Sequence, residues 1–248
     1  MPAHDFRTPR LYVDAPLAGG GTVAFDRDQA NYLLNVLRLA RGDEVLLFNG
    51  RDGEWQASLA RQGKRELSAE LGRCARAQPP APDLHFLFAP LKHARLDYLV
   101  QKAVEMGASL IQPVITRHTQ VARVNLDRMR ANAIEAAQQC GVLNLPAVGD
   151  PADFAKVAAD DGRLLIFCDE RAEVHDPVAA LTAAPRLSLS ILIGPEGGFA
   201  EEERAALVKR GNVARIALGP RILRADTAAV AALALVQAVL GDWRREPG

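Results

Sequence analysis

The chain has 248 residues, 49% of them hydrophobic, and 30 basic residues balance 30 acidic ones. That is enough apolar material for one large domain, or one medium and one small, and it argues against a disordered or strongly polybasic protein. Cys74, Cys140 and Cys168 lie far apart, and His4, His85, His93, His118 and His175 have no ligand spacing, which argues against a disulfide framework and a metal centre. Residues 1–13 hold no apolar signal core, and the longest apolar run, Ala228–Leu240, contains Gln237 and is too short to span a bilayer. The expectation is a reduced, cytoplasmic protein with no membrane partner.

Short, turn-rich segments come first. Leu11–Val13, Gly21–Phe25, Glu44–Phe48, Glu54–Leu59 and Glu66–Arg73 read as strands, punctuated by turns such as Asn49–Gly53. Between them, residues 28–43 carry Leu33, Leu34 and Leu37 at helical spacing. Asp28 is the expected cap and Gly42 the expected stop. This half is expected to be a small β-barrel with one helix. The proline-rich stretch 75-ARAQPPAPD-83 then reads as a linker, dividing the chain into domains at 1–76 and 77–248.

Beyond the linker, strands and helices alternate. Leu84–Ala89, Leu110–Ile115, Leu164–Cys168, Leu187–Ile193 and Val213–Leu218 are continuous apolar strands. Ala94–Met106, Leu126–Cys140, Glu201–Arg210 and Thr227–Leu240 are helices, with Asn125 a cap for the second. Such alternation predicts a mainly parallel sheet covered on both faces, with ligands gathered beyond the carboxyl ends of its strands. Three of those ends carry unusual residues: 167-FCDE-170, 193-IGPEGGF-199 and 218-LGPRILRADTA-228.

The second of these has the outline of a phosphate loop, but it has neither the Lys of a P-loop nor the GxGxxG of a dinucleotide turn. Glu196 would repel a phosphate, and Glu201, Glu202 and Glu203 already complement the start of the following helix. The loop therefore suits a ligand with donors to offer, such as a ribose, an amino group or a purine edge, approached closely by Gly194, Gly197 and Gly198. The ordinary alternative is a plain glycine turn. In the third segment Gly219 and Pro220 fix the loop, Arg221 and Arg224 are placed to hold an anion, and Asp226 or Thr227 can cap the last helix. That helix is apolar nearly all round, as expected of a core or subunit-interface helix.

IGPEGGF and LGPRILRADTA together resemble the signature pair of the RsmE-type 16S ribosomal RNA uridine N3-methyltransferases of the SPOUT class. Residues 32–50 are similar to the family's PUA-like RNA-binding barrel, and residues 91–120 to its central Lys- and Glu-containing segment. The resemblance implies an α/β C-terminal domain with a parallel sheet and a trefoil knot, plus a small N-terminal PUA-like β-barrel. It also implies a homodimer acting on 16S ribosomal RNA or the small ribosomal subunit, with S-adenosylmethionine as cofactor.

By position, Phe167, Cys168, Ile193, Gly194, Glu196, Gly197, Gly198, Leu218, Gly219, Ile222, Leu223 and Arg224 would line the cofactor pocket. Arg221 and Arg224 would stabilise charge on the uracil. Arg7, Arg10, Arg38, Arg41 and Arg117 would contact RNA phosphates. The sequence departs from the family pattern at Gln138, Val142, Asp226 and Asn31, where an acid, an Arg, a Glu and a His are usual; loss of the Arg at 142 bears on RNA docking. A different methylated base or ribose 2′-hydroxyl, or a non-enzymatic role in RNA binding or ribosome assembly, are the alternative readings.

Overall fold

The computed structural model describes residues 7–62, 66–121 and 123–244; His4 lies outside them. Contacts separate the chain into two units, one running to Pro80 and including Ala137–Leu145, the other made of Ala81–Ala136 and the chain from Pro146 onward.

The first unit contains β1 (Arg10–Tyr12), β2 (Thr22–Ala24), α1 (Arg27–Asn31), β3 (Glu44–Phe48), β4 (Glu54–Gln62) and β5 (Glu66–Arg76). The strands form one sheet in the order β1-β3-β4-β5-β2. Only the β1–β3 pair is parallel. No ladder joins β1 to β2 among the described residues, so the expected barrel is open. Its core is aliphatic: Leu11, Val13, Val23, Val45, Leu47, Leu59, Leu67 and Leu71 pack together with Leu33 from the helical segment.

That helical segment differs from expectation. The cap is Asp26, not Asp28: its carboxylate accepts from the Gln29 amide while the Gln29 side chain accepts from the Asp26 amide, a reciprocal capping box. The helix then widens into a π turn over Tyr32–Val36 and stops at Leu37. Arg38 follows at a φ of 58°, a left-handed conformation that costs a non-glycine residue roughly 1–2 kcal/mol. Gly42 instead serves the entry to β3, its amide donating to the Leu59 carbonyl.

Arg10 is corrected as an RNA contact. Its side chain is only 8% exposed and pairs with Glu54 at 2.5 Å. Its remaining donors reach the carbonyls of Ala137 (2.6 Å), Gln138 (2.7 Å) and Val142 (3.3 Å). The guanidinium also lies 4.5 Å from the centre of the Phe48 ring. Arg76 binds the other Glu54 oxygen at 2.7 Å and the Gly141 carbonyl at 3.0 Å. Glu54 is thus shared by two guanidinium groups whose other donors satisfy carbonyls among residues 137–142. Four of the five Arg10 donors are thus engaged within the protein, and burial keeps the guanidinium from a phosphate.

The second unit contains β6 (Leu84–Phe88), α2 (His93–Glu105), β7 (Leu110–Ile115), α3 (Leu126–Cys140, whose last residues belong to the first unit), β8 (Ala147–Val148), β9 (Ala152–Asp153), α4 (Phe154–Ala158), β10 (Leu164–Cys168), α5 (Pro177–Ala183), β11 (Leu189–Ile193), α6 (Glu201–Val208), β12 (Val213–Ile216) and α7 (Ala225–Val239). As expected, the sheet is parallel, in the order β12-β10-β11-β6-β7-β8, with β9 beside β7. Two-residue strands and helices of five and seven residues are too short to leave a periodic pattern, which is why β8, β9, α4 and α5 are not anticipated. Asn125 does act at the start of α3, accepting from the Arg128 amide at 3.0 Å.

Candidate active site

Parallel pairing sends every strand of the second unit out at the same edge. The chain leaves β11 toward β12 and leaves β6 toward β7, in opposite directions, so these neighbours form a switch point, the place where parallel sheets of this kind bind ligands. The three loops singled out in the sequence follow β10, β11 and β12, which are adjacent or one strand apart. The Ala89 amide donates to the Ile193 carbonyl and brings in a fourth segment, Ala89–Lys92 after β6.

Beneath the loops lies an apolar floor. Phe167 is 1% exposed and packs with Leu87, Val114, Leu165, Leu192 and Leu207. Its ring meets Phe199 edge-on at 5.3 Å, and Phe199 lies 6.1 Å from Phe154. A Cβ on Gly194 would sit 2.6 Å from the Phe199 ring, so the first glycine of IGPEGGF is a packing requirement. Gly198 is needed for a different reason, its φ of +71°. Replacing Gly194 by alanine is expected to push Phe199 off Phe167, cost about 1–3 kcal/mol of stability and weaken ligand binding at the loop; thermal melting with ligand titration checks this.

The sequence-derived residues fall into three groups. Phe167 and Ile193 have core side chains at the strand ends. Cys168, Gly194, Leu218 and Leu223 are half-buried, and burial pushes the Cys168 thiol up to about 12, which leaves it neutral and unreactive. Glu196, Gly197, Gly198, Gly219, Arg221, Ile222 and Arg224 are exposed. Ile222 is 93% exposed, so its side chain is not covered within the described chain. Arg221 and Arg224 form no ion pair among the described residues. Arg224 stands at the N-cap position of α7, its carbonyl taken by the Ala228 amide and its side chain free.

Acidic groups surround these loops. Glu196 pairs with Arg95 of α2, whose Nε is also 3.9 Å from Asp226 at the start of α7. Glu203 accepts from the Ala200 amide at 2.9 Å and the Arg117 amide at 2.8 Å; Glu201 pairs with Arg171 at 2.7 Å. Two of the three glutamates that looked like helix-dipole charges, Glu201 and Glu203, therefore also pin neighbouring loops. The imidazole Nδ1 of His118 donates to the Gly198 carbonyl at 3.0 Å, because a carbonyl can only accept. The Arg117 side chain is exposed and lies 3.7 Å from Glu202, its one ion-pair contact among the described residues.

Asp169, immediately after β10, is nearly fully buried and accepts from Arg204 (3.0 Å) and Arg215 (3.0 Å) and from the Arg171 amide (3.0 Å). Burial opposes its charged form, but these hydrogen bonds outweigh it and hold the carboxyl below its usual range. Arg95 and His118 are not among the site residues anticipated, and Asp169 is anticipated only as part of FCDE. Arg95 could have been found, since it sits just past the end of a fourth parallel strand at the same sheet edge.

Comparison with known proteins decides the family. Residues 78–237 match the model of an RNA methyltransferase domain, and residues 25–72 that of an RNA methyltransferase PUA domain. The chain is 31% identical over 239 residues to the ribosomal RNA small subunit methyltransferase E of Rickettsia conorii, covering 96% of this chain and 98% of that one. The chain belongs to the ribosomal RNA small subunit methyltransferase E family. Another methyltransferase E, from Synechocystis, is 31% identical over 88% of this chain and 74% of its own length. The crystal structure of the methyltransferase E of Neisseria gonorrhoeae, bound to S-adenosyl methionine, superposes with a TM-score of 0.84 at 27% identity, covering 96% of this chain and all of that one. The open sheet of the first unit and the parallel sheet of the second are thus the fold of methyltransferase E members. No helix among the described residues is long and apolar enough to cross a membrane, and no cluster of His, Cys, Asp and Glu among them could hold a metal.

Proposed function

We propose that this protein uses S-adenosylmethionine to methylate N3 of a uridine in 16S ribosomal RNA. The observation that carries the reading is the placement of IGPEGGF and LGPRILR at one edge of a parallel sheet, one strand apart, in a chain matched along its length by methyltransferase E members. The residues fit the cofactor chemically. Its ammonium and sulfonium are cations and its ribose and adenine offer donors, which suits the acidic Glu196 and the open main chain of Gly197 and Gly198; it has no phosphate for Glu196 to repel.

S-adenosylmethionine supplies the electrophilic methyl group. The chain's own contribution is mainly orientation: Glu196, Gly197, Gly198 and the main chain of Gly219–Leu223 hold the cofactor. Arg221 and Arg224, unpaired and beside that pocket, stabilise the negative charge that develops on the uracil as N3 loses its proton. The trefoil knot of the family and a homodimer complete the proposal. The dimer is supported by the apolar last helix, whose Val230, Ala234 and Leu235 remain partly exposed. The cytoplasm, where ribosomes are built, is the proposed compartment.

Four arginines are offered to RNA phosphates. Arg7, Arg38, Arg41 and Arg117 are exposed, and Arg38 and Arg41 lack an ion-pair partner among the described residues. RNA affinity should fall steeply with salt, and Arg38→Gln and Arg41→Gln should each reduce the log–log slope by about 1. Filter binding at several ionic strengths measures this, and an unchanged slope removes these residues from the interface.

The decisive experiment is methyl transfer from labelled cofactor to small subunits and to free ribosomal RNA, followed by mass-spectrometric mapping. Label at uridine N3 supports the proposal. Label on another base or on a ribose changes the reaction assigned, and absence of cofactor binding leaves RNA binding or ribosome assembly as the function.

A further inference from the structure

The two loops proposed to hold the cofactor have no ladder between them, because β10 separates β11 from β12. The IGPEGGF loop is fixed by its own Gly198–Pro195 turn and by His118. Residues 218–223 make no hydrogen bond to the rest of the described chain. The ladders through β10 set the spacing of the loops' roots, and side chains that reach across can set the spacing of their outer parts.

Arg95 does so. It lies in the first turn of α2, a third element, and its guanidinium pairs with Glu196 in the first loop while its Nε stands 3.9 Å from Asp226, two residues past the end of the second. No other side chain among the described residues joins these two segments by an ion pair. We infer that Arg95 is a positioning residue that sets the distance between the two cofactor loops, acting through Glu196 and Asp226. This rests on the cofactor reading given above.

The pair is partly exposed, with side chains 36% and 42% accessible, so its contribution to global stability is small. Its effect belongs in ligand binding, where small displacements of loops matter. It also offsets Glu196, which would otherwise face Asp226 with no cation between them.

Calorimetric titration with S-adenosylhomocysteine tests this in full-length protein. Arg95→Ala should weaken binding about tenfold with an unchanged melting temperature, and Arg95→Lys should recover part of the loss. Glu196→Ala and the double variant complete a cycle: if Arg95 acts through Glu196, the two losses are not additive. Wild-type protein that binds no S-adenosylhomocysteine overturns the cofactor reading and this inference with it. Wild-type binding that Arg95→Ala leaves intact overturns this inference alone, as does strict additivity. So does a drop in melting temperature that accounts for the loss without rescue by lysine.

Discussion

Replacing Arg224 by alanine is expected to slow methyl transfer by about 100-fold or more, the loss typical when one preorganised charge-stabilising group is removed. The residue is well suited to the test. Its main chain already serves as the N-cap position of α7 through the Ala228 amide, while its side chain is exposed and unpaired. Truncation should therefore leave the fold and the loop path intact. Single-turnover kinetics at saturating RNA would isolate the chemical step, and calorimetry would report cofactor affinity separately. Arg221→Ala, three residues earlier on the same loop, is the natural companion. A rate equal to that of wild type for Arg224→Ala would remove the residue from the mechanism.

The second large effect concerns stability. Glu54→Ala is expected to cost about 3–5 kcal/mol, because it strands two largely buried guanidinium groups. Both Arg10 and Arg76 depend on this carboxylate. Urea denaturation at pH 7 measures the loss, and a change below about 1 kcal/mol would contradict the buried-network account. The same group predicts acid sensitivity. Burial opposes the charged carboxylate, but hydrogen bonds from Arg76 and Arg10 outweigh it and hold its pKa below the usual glutamate range. A depressed folded-state pKa stabilises fully above the unfolded value of about 4.3 and loses that contribution as pH falls through the folded value. Wild-type stability should therefore drop on acidification below about pH 5, and Glu54→Gln, already weakened at neutral pH, should show a shallower drop over that range.

The sheet of the second unit was legible because its strands are continuous apolar runs, such as LLIFC and LSILI, that a buried parallel strand requires. Once the strands are parallel, a shared edge for their ends follows, so the loops could be placed without coordinates. What stayed hidden depended on distance along the chain. Arg10 sits in a polar stretch, RTPRLY, that reads as surface; its burial comes from a carbonyl 127 residues further on, which no local pattern records. Arg95 is similar, since Glu196 lies 101 residues away. The π turn escaped because Leu33, Leu34 and Leu37 satisfy a normal helix equally well, and pitch leaves no mark on spacing over one turn. Ile222 is placed by the resemblance against the cofactor, and within the described chain its side chain is exposed.

The carbonyls that Arg10 and Arg76 bind have a further meaning for how the molecule is made. They lie between residues 137 and 142, whereas the last strand of the first unit ends at Arg76. During synthesis the sheet can therefore be complete in its strands well before its polar interior has all its partners. For some sixty residues of elongation the two guanidinium groups must remain hydrated, so the first unit stays only part-finished while the second is already emerging. A fragment cut after Pro80 would hold every strand of that sheet and still lack the acceptors that close it, which makes the natural break in the contacts a poor place to divide the protein.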